Sequence, residues 1–242
     1  MLVREEMAIR GFEEWAPVYD ETIAREVEQY GSIKYVELLK KLILWAELEE
    51  GMQVLDVGSG TGLLTIELAR WIGDWGQVIG VDITEAMLQR GRENIEKAGL
   101  GDRIQLYNVS AMQLPFENAR FDRVVSCIAM HHMEVPKALA EMVRVLKPGG
   151  MLVIADMGAS PAWRAPIGRI VVPVLMFLYQ LSRGFSAQAK AEVATFDQTY
   201  LPQEWEEMLA GHGLQDIRSE VFPHPTQKWY PPVLLMRGTK TN

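Results

Sequence analysis

Val54-Leu-Asp-Val-Gly-Ser-Gly-Thr-Gly62 is the stretch that decides the fold. An apolar run ends in an acidic residue and three glycines spaced G-x-G-x-G, and a helix-like pattern over Leu63–Ile72 follows at once. This is a strand running into a tight turn where a small ligand can lie against bare backbone. Glycine suits such a turn because it accepts positive φ and has no Cβ to hold the ligand away. A dinucleotide fingerprint, G-x-G-x-x-G, would need glycine at position 63, and that residue is Leu63. The spacing therefore argues against an NAD-dependent oxidoreductase.

Outward from the loop, strand-like and helix-like runs alternate. Strands are predicted at Gln53–Val57, Gln77–Asp82, Arg103–Tyr107, Arg123–Cys127 and Met151–Asp156, with helices at Leu63–Ile72, Glu85–Ala98 and Pro136–Leu146. The strands are apolar on both faces, as in a parallel sheet covered by helices on each side, so the fold class is α/β and doubly wound. Thr84 is a cap candidate for the second helix, Gly99 its stop, and Pro148-Gly-Gly150 a turn. Residues 1–50 read as a helical segment, in which Ser32–Trp45 opens on an N-cap candidate and spaces Val36, Leu39 and Ile43 helically. The remainder, 51–242, is the ligand-binding domain. Its alternation pauses over 159–200, then resumes with a helix at Pro202–Gly211 and strands at Gln215–Phe222 and Val233–Arg237.

Composition bounds the function. The chain has 242 residues, 48% hydrophobic and 23% charged, enough for a sizeable core without disulfides. The single cysteine, Cys127, excludes an internal disulfide and a Cys-based zinc cluster, and fits a reducing cytoplasm. A net charge of -8 argues against a nucleic-acid substrate. The N-terminus lacks the pattern of a signal peptide. Pro166–Leu181 is strongly apolar but too short to span a bilayer, and reads as a buried or interfacial helix that leaves peripheral membrane contact open.

Asp82 ends the second strand about twenty positions past Gly62, where a carboxylate can accept hydrogen bonds from both hydroxyls of a ribose. The competing role is to end the strand or cap the next helix. Further on come Ser110-Ala-Met-Gln-Leu-Pro-Phe116, Phe121-Asp-Arg-Val-Val-Ser126 and Glu141-Met-Val-Arg-Val-Leu-Lys-Pro-Gly-Gly-Met-Leu-Val-Ile-Ala-Asp156. With the glycine loop and Asp82, these segments resemble, in order, the class I S-adenosylmethionine methyltransferases. Trp15-Ala-Pro-Val-Tyr-Asp20 resembles a segment of the quinone-biosynthesis and related small-molecule subgroup. The resemblance implies a Rossmann-like sheet of seven strands, the last antiparallel, with residues 1–50 as a lid and 159–200 as a substrate cap. It implies S-adenosylmethionine as cofactor, with S-adenosylhomocysteine as product. The implied cofactor residues are Tyr19, Asp56, Gly58, Ser59, Gly60, Thr61, Gly62, Asp82, Ile83, Met87, Ser110, Ala111, Met112 and Ile128. Ser110 departs from the pattern, standing where the family usually has Asp; Tyr19 could equally be a packing aromatic.

A sulfonium methyl is already electrophilic, so catalysis is alignment and exclusion of water, with a base where the acceptor must lose a proton. Candidates are His131 and His132, just after the fourth strand, where strand ends face the ligand crevice. One can pack near the cofactor while the other acts as base. No metal site is expected, because adjacent histidines diverge on a strand or helix. No [Asn/Asp]-Pro-Pro-[Tyr/Phe] segment for a flipped nucleobase follows the fourth strand, and one cysteine is too few for arsenic chemistry. The segment 159–200, with Trp163, Phe177, Tyr179, Phe185, Phe196 and Tyr200, suits a lid over an apolar quinone-, polyketide-, terpenoid- or lipid-like acceptor, or a homodimer interface, or core. The expected activity is methyl transfer to a small apolar molecule by direct displacement. The alternative is a catalytically silent cofactor-binding partner protein.

Overall fold

The computed structural model describes residues 3–184 and 186–241. Phe185 of the expected cap lies outside them.

Three helices, α1 (Val3–Trp15), α2 (Tyr19–Tyr30) and α3 (Tyr35–Trp45), precede the sheet. The alternating part follows as β1 (Gln53–Val57), α4 (Leu63–Trp71), β2 (Gln77–Asp82), α5 (Glu85–Ala98), β3 (Ile104–Asn108), β4 (Phe121–Cys127), α6 (Val135–Val145) and β5 (Leu146–Met157). Next come α7 (Pro161–Arg164), α8 (Gly168–Ser182) and α9 (Ala187–Val193), and the chain closes with α10 (Pro202–Gly211), β6 (Leu214–Phe222) and β7 (Val233–Lys240). The seven strands form one sheet ordered β3-β2-β1-β4-β5-β7-β6. β1 to β5 run parallel, and β7 is antiparallel to both β5 and β6. This is the doubly wound Rossmann-like sheet with an antiparallel last strand. The order reverses between β1 and β4, which opens a crevice beyond their carboxyl ends.

Strand alternation builds the two faces. Val54, Val78, Val125 and Val153 pack with α1 to α5 in one cluster, while Leu55, Ile79, Val124 and Leu152 pack with α6 and the fully buried Trp205 of α10 in the other. Gly99 ends α5 in the left-handed conformation, φ 69°. Asp122 fastens the start of β4, accepting from the Gln53 amide at 2.9 Å and from Lys147 at 2.6 Å.

Three local expectations differ from the structure. α3 starts at Tyr35 rather than after Ser32, because Lys34, in extended backbone, takes the cap position. Thr84 occupies the cap position of α5 but makes no side-chain capping bond; its amide is instead held by Asp82. β5 opens already at Leu146, paired to Phe121, while Gly149 at φ 73° makes the expected turn before the ladder resumes at Met151.

Candidate active site

The glycine loop turns as its composition requires. Gly58, Gly60 and Gly62 have φ of 74°, 52° and 80°. A Cβ on Gly58 would lie 2.4 Å from that of Ala129, so the loop can pass beneath the segment after β4 only as glycine. The loop is laced to β2: the Gly58 and Ser59 amides donate to Val81 O, and the Gly60 amide donates to Asp82 Oδ2 at 2.9 Å. Asp82 Oδ1 accepts from the Thr84 amide at 2.8 Å. Each oxygen thus holds one backbone N–H and keeps acceptor capacity for a ligand hydroxyl. Burial pushes the Asp82 carboxyl up, and the two amide bonds work against that shift.

A cleft enclosing about 670 Å³, part of it open to solvent, lies over this loop. Of the residues implied for the cofactor, Tyr19, Gly58, Gly60, Asp82, Ile83, Met87, Ser110, Ala111, Met112 and Ile128 line it. Asp56, Ser59, Thr61 and Gly62 are not among the lining residues. Asp56 lies under the loop, 1% exposed, with Oδ2 bonded by Thr65 Oγ1 at 2.6 Å and Oδ1 buried with no partner. Burial, opposed by the Thr65 bond and reinforced by the charge of Asp82, raises its carboxyl to about 7. Ser59 faces Gly80 of β2. Thr61 is gripped from outside: its hydroxyl donates to Asp20 Oδ1 at 2.5 Å, and Asn94 bridges Asp20 Oδ2 and Thr61 O.

The residues fit S-adenosylmethionine. Bare backbone at Gly58 and Gly60 leaves room for close approach, Asp82 offers acceptors for a ribose, and Ile83, Met87 and Met112 offer apolar walls for a flat base. Ser110, the departure from the family pattern, bonds Glu5 Oε1 of α1 at 2.6 Å and accepts from the Met112 amide. A carboxylate therefore does stand at this end of the cleft, brought by the N-terminal helix. No local motif signals Glu5, which lies 105 positions from Ser110.

A second, larger cavity encloses about 1550 Å³, again partly open. Phe12, Tyr19, Ile128 and His132 line both cavities and form the partition between them. The partition is aromatic: His132 meets Phe12 edge-on at 4.8 Å, and Trp15 meets Tyr19 at 4.8 Å. The outer wall comes from α8 (Val172, Leu175, Met176, Tyr179), from Trp163, and from Trp229 and Tyr230 before β7. Of the cap aromatics, Trp163 and Tyr179 face this cavity, whereas Tyr200 packs on Trp205 in the core. The cavity is mostly apolar, as small-molecule sites are.

The two histidines separate. His132 belongs to the partition; His131 lines only the larger cavity. Asp156, fully buried at the end of β5, accepts the His131 amide at 2.9 Å and sits 2.5 Å from His131 Nδ1. Sequence reasoning passed over Asp156 as a strand end. Its signal was a lone carboxylate closing an apolar strand at the crevice edge. Cys127 is held inert by burial, which pushes its thiol well up.

Comparison with known proteins agrees with this geometry. Residues 54–150 match the family model described as a methyltransferase domain. The demethylmenaquinone methyltransferase of Listeria welshimeri is 34% identical over 178 residues, covering 71% of this chain and 73% of that protein. The demethylmenaquinone methyltransferase of Desulfitobacterium hafniense is 37% identical over 119 residues, but this covers 49% of the chain and only 47% of that protein. The crystal structure of the YcgJ protein from Bacillus subtilis shares the fold, with TM-score 0.63, 21% identity, and coverage of 86% of this chain and all of that one. The chain belongs to the class I S-adenosylmethionine-dependent methyltransferases, in the family of these quinone-biosynthesis-like enzymes.

Replacing Asp82 by Ala should weaken S-adenosylmethionine binding by about 1–3 kcal/mol, the scale of charge-assisted hydrogen bonds. Unchanged affinity by calorimetry would remove its cofactor role. Asp56 gives a pH prediction. A carboxyl raised in the fold from about 3.9 to about 7 favours its neutral form, so its contribution to stability falls as pH rises through that window. Asp56→Asn should therefore stabilise the ligand-free protein by up to ~4 kcal/mol at about pH 8 and little at about pH 4. Parallel wild-type and variant unfolding free energies across that range would refute it.

Proposed function

We propose that the acceptor is a small apolar ring compound of the quinone class carrying a lipid-like substituent, methylated in the cavity between α8 and the partition. The observation that carries this reading is the large apolar cavity, which shares one aromatic wall with the cofactor cleft and is lined by His131, whose ring is backed by the buried Asp156. The names of the relatives support the same acceptor class. The silent-binder alternative requires a closed wall beside the cofactor, and the adjoining cavity speaks against it.

Bound S-adenosylmethionine supplies an electrophilic methyl carbon. The chain's own work is to orient the acceptor and accept a proton. With Nδ1 turned to Asp156, that carboxylate fixes the tautomer in which Nδ1 carries the hydrogen and Nε2 is the basic atom. Removal of a ring-hydroxyl proton by Nε2 raises the electron density of the oxygen and of the ring carbons conjugated with it, preparing either for methylation. His132, Phe12 and Tyr19 hold the ring at the partition and keep water from the reacting atoms.

The helices of 1–50 act as a lid on both cavities, through Glu5, Phe12 and Tyr19 on the inside and the Asp20 grip on Thr61. The reaction takes place in the cytoplasm, at a membrane face where the lipidic acceptor resides. Among the described residues no helix is long and apolar enough to cross a membrane. A homodimer through the exposed side of 159–200 is the competing use of that surface.

The test is a labelled-methyl assay with short-chain demethylated quinols. Turnover is expected, and transfer only to other acceptor classes would overturn the reading. His131→Ala should lower kcat by about 10²–10⁴-fold, the usual contribution of a general base, with Asp156→Asn lowering it in the same direction. Unaltered kcat in either variant would dismiss the pair as catalytic.

A further inference from the structure

Ile167, at the head of α8, and Ile170, Val174, Phe177, Leu178 and Leu181 along it are each more than half exposed. Their three- and four-residue spacing puts them on one side of the helix. The opposite side, with Val172, Met176 and Tyr179, lines the larger cavity. The wall of that cavity is thus one helix thick and apolar on both faces. An apolar stripe of this extent marks a surface that is covered in use.

Charge indicates what covers it. The chain carries -8 overall, yet between Met157 and Ala191 it has Arg164, Arg169, Arg183 and Lys190 and no Asp or Glu. The stretch from Phe222 to Met236 has Lys228 and again no acidic residue. The two stretches form one surface, since Ser160 Oγ donates to Lys228 O at 2.6 Å and Trp163 Nε1 to Trp229 O at 2.7 Å. Arg164 is committed to Glu204, while Arg183, Lys190 and Lys228, all exposed, are placed to meet an outside anion. Trp229 and Tyr230, also exposed, stand at the cavity's rim, and such aromatics favour the headgroup level of a bilayer.

We propose that α8 and the Trp229–Tyr230 loop seat the enzyme on an anionic lipid surface, with the acceptor cavity opening against it. An apolar acceptor then passes from membrane to cavity without crossing water. The helix, at 15 residues, is too short to span and lies in the interface. The proposal rests on the lipid-like acceptor assigned above, but its test does not need that acceptor.

Flotation with phosphatidylcholine vesicles, alone or with about one third phosphatidylglycerol, reads the docking directly. The wild type should float with the anionic vesicles about tenfold more than with the neutral ones, and less at high salt. Ile170→Gln/Val174→Gln/Leu181→Gln should lose about tenfold of that binding with an unaltered melting temperature. Arg183→Glu/Lys228→Glu, which leaves the apolar stripe intact, should lose the preference for anionic vesicles. A wild type that stays unbound, or a triple variant that floats as well as wild type, would overturn the proposal. A wild-type dimer that the triple variant splits, without vesicle binding, would assign the face to a second copy instead. Short-chain quinol turnover should be equal in wild type and triple variant. Vesicle binding with no quinol turnover would sink the acceptor assignment and leave the docking standing.

Discussion

The hydrogen bond from the Gly60 amide to Asp82 is the constraint on which the site depends. It ties the turn after β1 to the end of β2, so the cofactor loop is held by the sheet rather than by its own sequence. The same carboxylate holds the Thr84 amide at the start of α5. One side chain therefore sets the loop, the helix start and the acceptor atoms that face the cleft. The energetic tension is visible in its raised pKa: burial disfavours the charge, and two backbone N–H groups offset part of that cost. A ligand offering hydroxyl donors completes the set.

From that fixed loop the remaining parts take their positions. Asp20 bonds the hydroxyl of Thr61, in the same turn, and so brings α2 against the loop. Tyr19, the neighbour of Asp20, is thereby placed in the partition, with Phe12 and Trp15 packed on it from α1. On the other side of the sheet's switch point, Asp156 does for the segment after β4 what Asp82 does for the glycine loop. It holds the backbone amide and the side chain of one residue, His131. Both ligand cavities are thus organised by a carboxylate at a parallel strand's end, the location where an open α/β sheet presents its ligands.

The alternation of apolar strands and helices from Gln53 to Asp156 was legible because a strand buried on both faces leaves a near-continuous apolar run. The cofactor loop was legible because its backbone favours glycine: all three glycines lie at positive φ, and at Gly58 a Cβ would collide with Ala129. What could not be read were pairings across long sequence separations. Glu5 reaches Ser110, and Asp156 reaches His131, with no periodicity linking either pair. Asp56, in the motif, was expected at the ligand, and the structure places it under the loop, bonded to Thr65 and absent from the cleft's lining. The sequence placed the histidine pair at the ligand crevice, one near the cofactor and the other a candidate base, without saying which; their carboxylate and aromatic neighbours distinguish them.

That distinction has a physical consequence for the division of labour. His132 is packed edge-on against Phe12, with its ring plane set by aromatic contact at the wall common to both cavities. In the proposed reaction a ring fixed there would shape the passage between the two cavities. His131 lines the larger cavity alone, and in the proposed mechanism its buried carboxylate neighbour would stabilise an imidazolium once a proton is taken up. On that proposal charge would develop between His131 and Asp156, within the protein, away from the aromatic partition. The proposed division would separate proton acceptance from alignment, so neither group would compromise its geometry for the other's task.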